Sequence, residues 1–128
     1  MRLLLDTHVL VWAIVAPERL SERVKALLLN PGNERFVSAV CWWDLAQKAS
    51  VGKLFLPVGL DELARLVRED LRGVPLPLTD AHARRLALLP LHHKDPTDRL
   101  LIGQAQVEGL QVVTRDPLFR LYDIEVVW

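Results

Sequence analysis

Arg2-Leu3-Leu4-Leu5-Asp6-Thr7-His8-Val9-Leu10-Val11-Trp12-Ala13-Ile14 is the stretch on which the fold turns. Arg2 to Leu5 is a short continuous apolar run bounded by a charge, the pattern of a strand covered on both faces. Thr7 to Ile14 is apolar enough for a buried helix, and Pro17 stops it. One acid, Asp6, stands between strand and helix. Ligands of open α/β sheets bind beyond the carboxyl ends of the strands, so a polar residue here faces a site.

Working outward, Ser21 caps a short helix through Leu29, and Asn30-Pro31-Gly32-Asn33 is turn chemistry. Phe36-Val37-Ser38 is a second strand, and Val40 to Ser50 reads as a helix ending at Gly52. Leu60, Leu63, Ala64, Val67 and Leu71 recur at helical spacing, with Asp61, Glu62, Arg65, Arg68 and Glu69 on the other face. Val74-Pro75-Leu76-Pro77-Leu78 is extended, and its two prolines confine it to a sheet edge. Thr79 or Asp80 caps a helix to Leu89, closed by Pro90. Asp95 as N-cap and Pro96 at the first helical position open another, to about Glu108, which Gly109 ends. Gln111 to Thr114 and Ile124 to Trp128 are the last strands. Strands alternate with helices throughout, which predicts an α/β fold with a mostly parallel sheet. Neither a repeat nor a linker interrupts residues 1–128, so one domain is expected.

Composition narrows the function. A chain near 150 residues buries about 70% of its unfolded surface, so 128 residues support a core of their own. With 51% hydrophobic and 25% charged residues the chain is not a disordered or low-complexity one. Sixteen Lys and Arg against sixteen Asp and Glu exclude a bulk electrostatic nucleic-acid binder, though not a nucleic-acid enzyme with a local basic rim. The single Cys41 makes neither an internal disulfide nor a cysteine zinc site, in keeping with a reducing cytoplasm. No apolar run approaches the ~20 residues that span a bilayer. Val9 to Ala16 imitates the apolar part of a secretory leader, but Asp6 and His8 interrupt that pattern, so the start reads as mature protein.

The chemistry resides in the acids. Asp116 repeats the position of Asp6, two residues beyond Val112-Val113-Thr114. Asp98 precedes Leu101 and Ile102 by three and four residues, so it shares their inward face. Asp44 lies in the apolar stretch Val40 to Ala46. Each also has an ordinary structural role: Asp6 and Asp116 as caps, Asp98 as a first-turn acid, Asp44 as partner of Lys48 one turn on. Asp95 keeps its capping role. Together, carboxylates converging on one end of a sheet repel, which raises their pKa values unless a cation is present. A hard divalent ion such as Mg²⁺ or Mn²⁺ relieves this and suits phosphoryl chemistry. No Gly-rich phosphate loop occurs, and His8, His82, His92 and His93 lack a metal spacing, His92-His93 reading as a loop pair.

These residues resemble the PIN-domain ribonucleases of the VapC toxin type, the toxin half of type II toxin–antitoxin pairs. The matching stretches are Leu4-Leu5-Asp6-Thr7-His8 with Leu10 and Trp12, Ser38-Ala39 with Trp43 and Asp44, and Lys48 with Gly52-Lys53-Leu54. They continue through His93-Lys94-Asp95-Pro96-Thr97-Asp98-Arg99-Leu100-Leu101-Ile102, Gln104-Ala105, Val113-Thr114-Arg115-Asp116 and the ending Tyr122 to Trp128. The likeness covers essentially the whole chain in order. It implies a three-layer α/β/α PIN-like domain and a metal-dependent endoribonuclease whose acidic cluster is Asp6, Asp44, Asp98 and Asp116. In that family metal-activated water attacks a phosphodiester, leaving a 5′-phosphate and a 3′-hydroxyl. Asp6, Asp98 and Asp116 would hold Mg²⁺ or Mn²⁺, Thr7 and Thr114 would orient carboxylates, and Arg99 and Arg115 would hold substrate phosphates. The resemblance further implies an RNA substrate, a homodimer, and a small antitoxin whose helix and tail cover the acidic site.

Two positions depart from the family pattern. Asp44 stands where Glu is usual, and Cys41 where Ser is common. Asp lacks one methylene, so its oxygens fall about 1.5 Å short unless its helix moves closer. A catalytically weak PIN-like module acting by protein or RNA binding is therefore the alternative. Trp12, Trp42, Trp43 and Trp128 bear on it, because adjacent helical residues point about 100° apart and one of Trp42 and Trp43 is expected at the surface. An aspartyl-phosphate phosphatase would want a second Asp where His8 stands, and a receiver domain would carry its Asp deeper in the chain.

Overall fold

The computed structural model describes residues 1–128. Strand β1 (Arg2–Leu5) occupies the middle of a five-stranded sheet of order β3-β2-β1-β4-β5, in which every pairing is parallel. Its neighbours are β2 (Glu34–Ser38) and β4 (Gln111–Val113), with Leu4 opposite Phe36 on one side and Val112 on the other. Leu3, Leu4 and Leu5 are all fully buried, as a strand covered on both faces requires. The edges are β3 (Val74–Leu76) and β5 (Val126–Val127). Pro75 sits in β3 opposite Val37, with no further strand outside it to need its missing N–H.

Helices α1 (Thr7–Val15) and α2 (Glu22–Leu29) connect β1 to β2, and α3 (Ala39–Ser50) and α4 (Leu60–Glu69) connect β2 to β3. Helices α5 (Asp80–Arg85) and α6 (Pro96–Glu108) return the chain from β3 to β4. The first two crossovers step along the sheet in one direction and the third steps back. Right-handed crossovers then put α5 and α6 on the face opposite the earlier helices, giving three layers, α/β/α. Gly73 makes the tight entry into β3: a Cβ there would lie 2.9 Å from both Val37 Cγ2 and Val67 Cγ1.

Most boundaries follow local chemistry. Ser21 and Ser38 cap α2 and α3 by accepting from Val24 N–H and Val40 N–H. Asp95 caps α6 with Pro96 at its first position, and Gly109 ends it at φ 67°. Two expectations need correction. The helix expected to Leu89 is α-helical only to Arg85, then tightens into a 3₁₀ turn over Leu86–Leu88. Leu89 must be extended to precede Pro90, and its ψ is 135°. The last strand covers only Val126–Val127 of the expected Ile124 to Trp128, because β4, its sole partner, is itself only three residues long. Trp43 is the exposed tryptophan of the pair on α3, while Trp42 packs on the core.

Candidate active site at the sheet switch point

The strand order reverses direction between β1 and β4, and a parallel sheet opens a crevice at the carboxyl ends of two such strands. Asp6 follows β1 and Asp116 follows β4, so both acids stand at this crevice. A cleft of about 300 Å³ there is lined by Asp6, His8, Trp12, Arg115, Asp116 and Pro117.

Thr114 ties the two sides together. Its hydroxyl donates to Asp6 Oδ2 at 2.8 Å and accepts from the Asp116 backbone N–H at 3.0 Å. Asp116 Oδ1 in turn accepts from Leu118 N–H, capping the 3₁₀ turn over Pro117–Leu121, so its ordinary capping role is also realised. Asp6 precedes α1 but makes no side-chain cap, which leaves Thr114 as its carboxylate's hydrogen-bonded side chain. Burial pushes the Asp6 carboxyl above its usual range, and the charge of Asp116 adds to this. The Thr114 hydrogen bond, His8 and the Thr7 backbone oppose the shift without cancelling it.

Asp98 reaches the same field from the first turn of α6. Burial first, then the charges of Asp95 and Asp6, push it up to about 7. A helix N-terminus favours an ionised acid, so here desolvation and like charge outweigh the dipole. Asp98 Oδ2 is bonded to His93 Nε2 at 3.2 Å. Asp44 is largely buried and paired with Lys48 Nζ at 3.2 Å across one turn of α3. It still belongs to the neighbourhood: after burial, which dominates in pushing the Cys41 thiol up to about 12, the charges of Asp6 and Asp44 add to the shift. Cys41 is therefore a buried, un-ionised thiol donating to Leu5 O at 3.6 Å.

The remaining candidates divide. Arg115 lines the cleft. Arg99 is occupied by protein acceptors: Nη1 donates to Pro90 O and the Tyr122 hydroxyl, Nη2 to Leu86 O. Thr7 is buried and its hydroxyl bonds no carboxylate, so it does not hold one as Thr114 does. His93 and Tyr122 are residues that sequence reasoning passed over. The five-residue step from His93 to Asp98 across the Asp-Pro cap was a legible signal for the first; nothing local pointed to Tyr122.

No three His, Cys, Asp or Glu side chains are grouped so as to hold one ion as they stand. The donor chemistry nevertheless fits a hard divalent cation. Asp6, Asp98 and Asp116 offer only oxygen; burial and then neighbouring carboxylates push up Asp98 (Asp95, Asp6) and Asp6 (Asp116), a strain a cation would relieve.

Fold and site together define an α/β domain with an acidic cleft at a sheet switch point. The PIN domain family profile matches residues 3–125, and the chain belongs to the PIN-domain family. It is similar to Ribonuclease VapC22 of Mycobacterium tuberculosis, 31% identical over 117 residues that cover 91% of this chain and 88% of that protein. Among solved structures it resembles VapBC2 from Rickettsia felis bound to a promoter DNA fragment, with a TM-score of 0.75 at 16% identity over 99% of this chain and 98% of that one. DNA-bound VapBC from Salmonella typhimurium gives 0.69 at 19% identity, covering 99% and 97%. The structural likenesses establish the fold.

Proposed function

We propose that this protein is a divalent-metal-dependent endoribonuclease, the toxin of a type II toxin–antitoxin pair. The observation that carries the reading is the meeting of acids at the switch point: Asp6 and Asp116 line one cleft and are joined through the Thr114 hydroxyl; Asp98, pushed up to about 7 by burial, Asp95 and Asp6, adds a third carboxylate near them. Membership in the PIN-domain family and the relation to a ribonuclease of VapC type support it, and a structural neighbour from Klebsiella pneumoniae is a toxin–antitoxin complex. An antitoxin partner, a homodimeric state and a cytoplasmic setting belong to the same proposal. No helix is long and apolar enough to cross a membrane.

Asp6, Asp98 and Asp116 are the residues that would hold Mg²⁺ or Mn²⁺. Such an ion supplies Lewis acidity toward phosphate oxygens and makes water more acidic. Thr114 holds the Asp6 carboxylate by Oδ2. Arg115, on the cleft wall, is the cation available to a substrate phosphate, whereas Arg99 is spent within the protein. His8 and Trp12 line the same cleft and bound the space left for the RNA strand.

A weak enzyme that acts by binding is the second reading, and the Asp44–Lys48 pair favours it, since Asp44 already has a cationic partner on its own helix. Mapping new RNA 5′ ends after incubating total bacterial RNA with the purified protein separates the two. Ends that require Mg²⁺ or Mn²⁺ and vanish in Asp98→Asn establish the nuclease. Absence of new ends with folded, antitoxin-free protein leaves the binding reading.

A further inference from the structure

Tyr122 and His93 form a chain of hydrogen bonds that ends on Asp98. The Tyr122 hydroxyl oxygen lies 3.2 Å from Arg99 Nη1, 3.3 Å from the His93 backbone nitrogen and 2.8 Å from His93 Nδ1. The first two partners can only donate. A hydroxyl offers two lone pairs and one proton, so its own proton goes to His93 Nδ1. That makes Nδ1 the acceptor and leaves the imidazole proton on Nε2, which donates to Asp98 Oδ2 at 3.2 Å. The opposite tautomer would direct three donors at one phenol oxygen, strand the phenol proton, and set an imidazole lone pair against a carboxylate.

The parts of this chain are held from several elements. Tyr122 is almost fully buried just after the 3₁₀ turn that follows β4. Both neighbouring imidazoles meet its ring edge-on, His92 at 4.9 Å and His93 at 5.5 Å. Arg99, on α6 beside Asp98, is anchored on Pro90 O at 2.8 Å. His93 thus does for Asp98 what Thr114 does for Asp6: each is the side chain that donates to Oδ2 of the carboxylate.

We propose that His93 is a positioning residue for Asp98, its tautomer set by Tyr122, and that the pair orients the Asp98 carboxylate for a divalent cation. This rests on the metal-dependent reading of the site. Removing hydrogen-bond partners behind metal ligands typically weakens metal affinity by about 10–100-fold. Mn²⁺ binding measured by calorimetry, without RNA, is the readout.

His93→Ala should weaken Mn²⁺ binding by about 10-fold or more, and Tyr122→Phe, which keeps the buried ring, by less. His93→Gln should recover part of the loss, because a glutamine amide nitrogen occupies about the place of Nε2. His92→Ala, which removes a ring packed on Tyr122 but no hydrogen bond, should bind Mn²⁺ as the parent protein does. A spectroscopic readout needs no metal: imidazole ¹⁵N shifts at pH 8 should show His93 protonated on Nε2, and Tyr122→Phe should mix the tautomers. Thermal melting shows whether each variant folds. If His93→Ala does not, Tyr122→Phe and His93→Gln decide. The proposal is overturned if Asp98→Asn abolishes Mn²⁺ binding while the His93 and Tyr122 variants bind like the parent, or if His93→Gln is no better than His93→Ala. If the parent protein binds no Mn²⁺, the metal-dependent reading fails first and takes the inference with it.

Discussion

At the scale of single residues, Asp98 carries the sharpest consequences. Burial, with the charges of Asp95 and Asp6, pushes its carboxyl up to about 7 from an ordinary 3.8. Between those values the folded protein holds a proton that the unfolded chain has released. The raised group's penalty therefore grows, and stability falls, as pH rises through the window. Asp6, raised as well, adds a slope of the same sign. Urea unfolding of metal-free Asp98→Asn should lose the Asp98 part of that slope. At pH 8 it should be more stable than the parent by on the order of 1 kcal/mol, after discount for a partly exposed group. The same variant should not cleave RNA in the 5′-end assay. Asp44 makes a contrasting case, since its carboxylate is paired with Lys48 on its own helix. Asp44→Glu should preserve or raise cleavage per enzyme; a fall of ~10-fold or more would mean the site is fitted to the shorter acid.

At the scale of elements, a buried polar network that no helix or strand pattern announces joins the helices that carry two of the acids. Ser38 closes β2, caps α3 through Val40 N–H, and donates to Gln104 Oε1 on α6 at 2.5 Å. Gln104 Nε2 donates onward to Pro77 O at 3.4 Å and lies 3.4 Å from His82 Nδ1. The fully buried His82 bonds Glu108 at 2.8 Å and completes the capping box of α5 with Thr79. This network couples the helix bearing Asp44 to the helix bearing Asp98. Ser38→Ala removes a cap and orphans a buried amide oxygen, so it should cost about 1–3 kcal/mol in urea unfolding. A cost near zero would mean the helices are joined by apolar packing alone.

For the whole molecule, the acidic cleft sets function against stability. Carboxylates gathered at the carboxyl ends of β1 and β4 weaken the metal-free fold, and a cation binding only the folded state would offset this. Mn²⁺ at ~100 times its dissociation constant should stabilise the protein by about 2.7 kcal/mol. The rise in melting temperature should be absent in Asp98→Asn. A rise of equal size in that variant would place the ion elsewhere.

How much of this was legible in the chain alone depends on the range of the interaction. Leu3-Leu4-Leu5 announced a doubly buried strand, and the Asp95-Pro96 and Ser21 caps announced where α6 and α2 begin, because strand burial and capping act over a few residues. Alternation of strands and helices then determined the α/β class, and Asp6 after β1 marked one wall of the cleft. The strand order was not written locally, since β1 pairs with β4 across more than 100 residues, Leu4 with Val112. Only that pairing brings the Thr114 hydroxyl to Asp6 and sets Asp116 across the crevice. The raised pKa of Asp98 was likewise a tertiary outcome, because desolvation depends on everything packed around the group. So was the employment of His93, which the chain offers as half of a loop pair and which Tyr122, brought 29 residues back, turns toward Asp98. Helix starts and buried strands are decided by neighbours in sequence; charge, tautomer and aim are decided by neighbours in space.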